Sequence, residues 1–148
     1  TAAIALSGAN AALAQPVVVE LRDRTGVSAQ VYRRHGDRRQ CLAAAEPSSG
    51  LRDGVPVGSM LTMLAGSAAQ VLIAWLPAPE RTIALRGAAF SDADLERCRE
   101  RGWAHSLGQR EPGVGSMSAP VTDSTGEVIA AVSVSGPIDR NANGVSFS

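Results

Sequence analysis

The sequence predicts an α+β domain, an antiparallel sheet flanked by helices, and three observations carry that expectation. Strand-like segments follow one another directly instead of alternating with helices, so hairpins rather than crossover units supply the sheet. The stretch 111–137, EPGVGSMSAPVTDSTGEVIAAVSVSGP, divides into two apolar strands around the turn composition Asp123-Ser124-Thr125-Gly126. The apolar mass is Ala, Val and Leu, with two Trp, two Phe and one Tyr in 148 residues, which suits helices laid closely on a sheet. That length is one domain with a real core.

In chain order, residues 2–24 read as helix with an interruption near Gly8. Leu13, Val17, Val18 and Leu21 fall at helical spacing, while Glu20, Arg22, Asp23 and Arg24 face outward. Pro16 fits the first turn of a fresh helix and Gly26 its cap. A chain that opens inside a helix suggests a segment upstream. Residues 27–34 alternate as a strand, 35–38 turn, and 39–45 return with Cys41, Ala43 and Ala45 on one side.

After a polar loop over 46–54, residues 65–76, AGSAAQVLIAWL, form the central helix, and Pro77 and Pro79 stop it. Its first turn is small: Gly66, Ser67, Ala68 and Ala69. Such a start leaves N–H groups open to an anionic guest, or simply permits close packing on a sheet. Residues 77–89 are a connection, with or without a short helical turn. Ser91 caps a helix over 92–101, with Asp94 in the capping-box position, Leu95 and Cys98 as the buried stripe, and Gly102 at the end. A short strand over 103–107 leads through 108–112 into the closing hairpin. Residues 1–140 are one domain, and 141–148, without periodicity, a frayed tail.

Within that hairpin, setting Thr122 opposite Glu127 pairs Val121 with Val128, Ala119 with Ala130 and Met117 with Val132 on an apolar face. The other face pairs Pro120 with Ile129, Ser118 with Ala131, Ser116 with Ser133 and Val114 with Ser135. It turns from greasy to hydroxyl-lined toward the open end. Both faces are too apolar for water, so cover is expected on each. Covered hydroxyls need partners, because an unpaired buried polar group costs ~1–3 kcal/mol. A bound polar small molecule or a water would supply them. Alternatively, each hydroxyl bonds a neighbouring carbonyl and the small side chains only admit a helix. A slip of one residue would exchange the faces.

Formal net charge is zero and aromatics are few, which argues against a nucleic-acid track or a base-stacking platform. No run reaches the ~18 apolar residues of a membrane span. The opening TAAIALSGANAALAQP lacks the basic n-region of a signal peptide. Lys is absent, so no P-loop exists, and Gly113-Val114-Gly115-Ser116 lacks the third Gly of a dinucleotide fingerprint. Ser67 stands in AGSAA, without the second Gly of a nucleophile elbow. His35 and His105 have no Cys, Asp or Glu at metal-ligand spacing. His105, beside Ser106 and near Ser116, is the one candidate base for a small hydrolase, and no assembled acid–base pair supports it. No catalytic residue, metal or cofactor is expected. Cys41 and Cys98 read as a pair of thiols, with a single disulfide as the alternative. Arg33-Arg34 and Arg38-Arg39 read as the solvated end of a hairpin.

The segment 99–140 carries Gly-aromatic-Ala after a helix, then E-P-G-V, then APVTDSTGEVIAAVSVSGP. Upstream stand TGVSAQVYRRHGDRR and VPVGSMLTMLAGSAAQVLIAWLP, in the same order. Together these resemble the C-terminal effector-binding domain of IclR-type transcriptional regulators over nearly the whole chain. The resemblance implies a GAF-like architecture, a small organic effector that is often a carboxylate, pairing into dimers or tetramers, and DNA contact only through an N-terminal winged helix-turn-helix lying outside this sequence. It carries pocket positions onto Ser67, Ser106, Ser116, Ser133 and Ser135. Some members have Asp at the position of Ser106 and Cys at that of Ser116, and the neutral hydroxyls found here should tolerate an anion better.

The expected site therefore comprises the first-turn residues Gly66, Ser67 and Ala68 with Ser106, Ser116, Ser133 and Ser135, walled by Leu61, Met63, Met117 and Ile129. The expected setting is the cytoplasm, with no membrane partner. The rival is an oligomerisation domain whose pocket is vestigial.

Overall fold

The computed structural model describes residues 4–5, 11–49 and 54–138. In chain order they form β1 (Ile4–Ala5), α1 (Ala11–Thr25), β2 (Ser28–His35), β3 (Arg38–Ala45), β4 (Met60–Thr62), α2 (Ser67–Ala74), α3 (Ala78–Ala84), α4 (Asp92–Arg101), β5 (Ala104–Leu107), β6 (Val114–Thr122) and β7 (Val128–Pro137). One sheet runs β1-β6-β7-β2-β3-β4, with β5 also paired to β6. Both expected hairpins form, and β2 joins them by pairing antiparallel with β7. The α+β expectation holds.

Several local features depart from the expected elements. Part of the segment expected as helix is a strand: Ile4–Ala5 lies parallel to β6 beside Val121 and Thr122. The expected interruption at Gly8 and the tail 141–148 fall outside the described residues. Pro16 sits inside α1 rather than opening a new helix; packing of Ala14 and Val18 on the sheet outweighs the one N–H it forfeits. Leu13, expected on the inner stripe, is exposed. The helical turn allowed within 77–89 is realised as the seven-residue α3. Pro77 is the N-cap of α3 and Pro79 stands in its first turn, where a fixed φ is favoured. The cap of α4 forms as expected, a full capping box between Ser91 and Asp94 with Gly102 at the far end.

The closing hairpin carries the most instructive difference. Asp123, not Thr122, faces Glu127, through a 2.9 Å bond from the Asp123 N–H to the Glu127 carbonyl. The turn is tightened by the Asp123 carboxylate, which accepts from the Thr125 hydroxyl and the Thr125 and Glu127 N–H groups. Those bonds, the Thr125 hydroxyl first, hold the Asp123 carboxyl below the usual carboxylate range. Gly126, at φ 85°, closes the turn.

That shifts register by one residue, and a bulge between Val121 and Thr122 shifts it by another. The sum is two, so the faces survive while every pair changes: Ser118 meets Ser133, Ser116 meets Ser135, and Val114 meets Pro137. A second bulge between Val31 and Tyr32 flips the phase of β3. Cys41 consequently joins the core on the α2 side, whereas Ala43 and Ala45 join the α1 side, correcting their expected common face.

Cover exists on both faces. Beneath α1 lie Ala29, Val31, Ala43, Ala45, Val121, Ala130 and Val132. Across the sheet, α2 is buried on all sides, with α4 contributing Leu95 and Cys98 to the same core. Cys41 and Cys98 are free thiols, and burial pushes the Cys98 thiol up to about 11.

Candidate functional site

The site forms where the N-terminus of α2 meets the open end of the β6–β7 hairpin. Gly66 precedes α2 at φ 97°, a conformation that side chains resist. A Cβ there would also stand 3.3 Å from Arg39 Nη2, close enough that the guanidinium would have to give way slightly. The Gly66 N–H donates to Gln109 Oε1 at 2.9 Å, and the Ser67 N–H reaches Ser116 Oγ at 3.4 Å. The free donors of a helix start are thus met by a side-chain carbonyl and a hydroxyl from two other segments.

Below them runs a chain of serine hydroxyls. Ser106 bonds Ser116 at 2.8 Å, Ser116 bonds Ser67 at 2.7 Å, Ser67 bonds Ser118 at 2.7 Å, and Ser118 bonds Ser133 at 2.7 Å. Ser133 also reaches the Met117 carbonyl at 3.5 Å. Each hydroxyl donates one proton, so the chain runs in one direction at a time. With Ser133 donating to Met117, every proton points away from Ser106, which presents acceptors to the cleft. Reversal turns Ser106 into a donor at the loss of only the longest bond. Beside the chain, Gln30 Nε2 donates to Ser135 Oγ at 3.2 Å.

These hydroxyls are satisfied largely by one another. The expectation that they require a bound molecule or a neighbouring carbonyl is therefore corrected.

All seven residues expected to bind ligand, Gly66, Ser67, Ala68, Ser106, Ser116, Ser133 and Ser135, line one cleft. The expected walls do not. Met117 points to the opposite side of the sheet, toward α1, as the alternation of β6 requires. Ile129 packs against the α1-side core, displaced by the bulge beside it. Met63 and Leu61 belong to the apolar core under α2. The cleft is instead completed by Gln30, Tyr32, Arg39, Arg110, Glu111 and Val114. Its volume is about 20 Å³, room for a single water.

Arg39 is the residue that sequence reasoning missed. It is 3 % exposed, where a solvated hairpin end was expected. Its Nη1 donates to the Thr62 carbonyl at 3.1 Å and the Ala65 carbonyl at 2.9 Å, and its guanidinium lies 5.0 Å from the Tyr32 ring centroid. The available signal was parity, since Arg39 shares its side of β3 with Cys41. Ser118, inside the hydroxyl chain, was also missed as a site residue, although its face had been assigned.

His105 is exposed and tilts against Trp103 at 5.9 Å, whereas Ser106, the next residue of β5, is buried in the cleft. Strand alternation thus separates the base and hydroxyl that a hydrolase would need to bring together. Among the described residues, no group of three or more His, Cys, Asp or Glu is placed to hold a metal ion. No helix among them is long and apolar enough to cross a membrane.

Comparison with known proteins follows the geometry closely. Residues 5–144 match the family model "Bacterial transcriptional regulator IclR C-terminal". The chain is 30% identical over 140 residues to the HTH-type transcriptional regulator BhcR of Paracoccus denitrificans, covering 86% of this chain and 50% of that protein. It is 26% identical over 141 residues to the HTH-type transcriptional repressor AllR of Escherichia coli, covering 86% and 52%. The chain therefore spans about half the length of the curated relatives it matches.

Among solved structures, a C-terminal domain of a Vibrio cholerae protein described as a transcriptional regulator aligns with TM-score 0.80 and 29% identity, over 91% of this chain and 86% of that one. The IclR of Thermotoga maritima shares the fold at TM-score 0.76 and 20% identity, over 85% and 56%. This family consists of transcriptional regulators, not enzymes, and the chain belongs to it as an IclR C-terminal domain.

Proposed function

We propose that this domain senses a small organic effector, carboxylate-bearing, and passes the signal to a DNA-binding domain of the helix-turn-helix type named for BhcR and AllR. The observation that carries the reading is convergence. Ser67, Ser106, Ser116, Ser133 and Ser135 come from α2, β5, β6 and β7, yet they line one cleft at a helix N-terminus. A hydroxyl chain able to reverse its direction supplies a donor at Ser106, and an anionic head that displaced Gln109 and Ser116 would take over the N–H groups of Gly66 and Ser67. In the cytoplasm, the effector would act by preferring one arrangement of paired protomers, dimer or tetramer, and so shifting their population. Residues 1–140 would constitute this sensing domain.

One observation favours the rival, an oligomerisation domain with a vestigial pocket: the hydroxyls bond one another and leave space for only one water. Thermal unfolding with formate, acetate, glycolate and benzoate separates the two. A compound at 100 times its Kd adds about 2.7 kcal/mol. Sensing predicts a stabilisation that Ser133→Leu abolishes. Indifference to every compound, with oligomers intact, supports assembly alone.

A further inference from the structure

We propose that α3 is a contact face between two copies of this chain, laid antiparallel about a two-fold axis at Ile83. The inference rests on the pairing of protomers proposed above and adds the surface that makes it. Among the described helices α3 is the one that buries none of its residues, and Ile83 is 60 % exposed on it. So short a helix has little stability of its own and gains from packing. Between α3 and the β2–β3 turn lies a groove of about 460 Å³, floored by buried Met63 and Ile73 and rising to Leu64, 41 % exposed. The charges around it point to a second copy as the occupant. Arg34, Asp37, Arg38, Glu80 and Arg86 line the groove and are exposed. None of the five forms an ion pair with a described residue, although both signs are present. A partner of one sign would satisfy one set and repel the other. A surface bearing both signs satisfies both when it meets itself, because a two-fold axis makes every contact twice.

Spacing along α3 sets where the axis falls. Glu80 precedes Ile83 by three residues and Arg86 follows it by three, so all three share one side of the helix and its exit. The Arg86 N–H donates to the Ile83 carbonyl at 3.2 Å, which carries the helical path that far. Two such segments, antiparallel with Ile83 on Ile83, set Glu80 against Arg86 of the partner subunit and Arg86 against Glu80 of the partner subunit. Glu80 also lies in the first turn and Arg86 beyond the last, so the dipoles of two antiparallel helices favour the same alignment. Arg34, Asp37 and Arg38 then form a rim of mixed sign around the apolar centre.

The test exchanges the two charges and follows self-association of the chain by sedimentation equilibrium, up to about 1 mM so that weak pairs register. Glu80→Arg and Arg86→Glu each bring like charges together at both contacts, and each should weaken association at least about tenfold. An equimolar mixture of the two variants should associate within about threefold of the unmodified chain, because the mixed pair restores opposite charges twice. Far-UV circular dichroism checks that both variants fold, as exposed side chains without ion pairs should allow. If either does not fold, Ile83→Asp decides, and it should weaken association by a similar factor. Association of any folded variant as tight as that of the unmodified chain overturns the proposal and leaves pairing to another face. A mixture as weak as its components also overturns it. A chain that stays monomeric throughout removes this face and the paired protomers together, while effector binding is decided separately by the thermal unfolding series.

Discussion

The two faces of the sheet are built from the same few residue types and do opposite things. Under α1, Ala and Val side chains make a dry layer whose stability comes from apolar burial. Under α2, one end is equally apolar, but the other holds Gln30, Arg39, Ser67, Ser106, Ser118, Ser133 and Ser135, all buried. The hairpin β6–β7 belongs to both layers, so alternate residues of one strand serve packing and polar chemistry. A dry face tolerates no unpaired polar atom. The wet face tolerates many because each finds another, and that arrangement has two directions where packing has one.

Exchanging a residue type across the faces should break this contrast most severely. Val31→Ser, 2 % exposed under α1, would remove apolar contacts and strand a hydroxyl without a partner. The expected loss is about 3 kcal/mol, from ~0.8 per buried methyl equivalent and ~1–3 for the unsatisfied group. Urea denaturation measures it, and a loss under 1 kcal/mol would mean the layer is wetter than described. The reciprocal change should cost less. Ser118→Ala deletes the hydroxyl linking Ser67 to Ser133, two bonds of 2.7 Å, for an expected ~1–3 kcal/mol. It should also weaken any effector response in the thermal-shift assay, because the chain can no longer reverse as a unit. Full stability together with an unaltered response would show that the chain is decoration.

Much of this arrangement was legible in the sequence. The serine face followed from period-two alternation, and it survived a wrong register because two errors of one residue each, turn and bulge, added to an even number. A single error would have put Ser116 and Ser133 on opposite faces of the sheet. The side chains whose placement depends on irregularity were not legible. The bulge opposite Val31 and Tyr32 is invisible in a strand pattern, so Ala43 and Ala45 could not be separated from Cys41. Ile129 moved with its own bulge. Arg39 was hidden by its neighbours: in a run of arginines at a hairpin end, solvation is the default, and partners far away in the chain, the carbonyls of Thr62 and Ala65 among them, make burial tolerable. The α4 cap was legible because it is local: Ser91 and Asp94 are three residues apart and need nothing from elsewhere.

That cap offers the smallest effect and the sharpest control on the contrast, since it belongs to neither face. The backbone N–H of Ser91, with its hydroxyl and Arg97, holds the Asp94 carboxyl below the usual carboxylate range, against a partial opposing effect of burial. A carboxyl depressed in the folded state contributes stability above its unfolded value, near pH 4, and that contribution is lost as pH falls through the folded value. Asp94→Asn should therefore flatten the acid limb of the stability curve below pH 4 and cost only ~0.5 kcal/mol at neutral pH, because the pair is largely exposed and screened. Chemical denaturation from pH 2.5 to 7 measures both. The acetate response of the cleft should be unchanged in this variant, since no α4 residue lines the cleft and the helix meets α2 through apolar packing and the bond from Arg99 to the Ala74 carbonyl at the far end of α2. A changed response would mean that the polar end of α2 and its packed end are mechanically one, and that the division between wet and dry layers does not insulate the site.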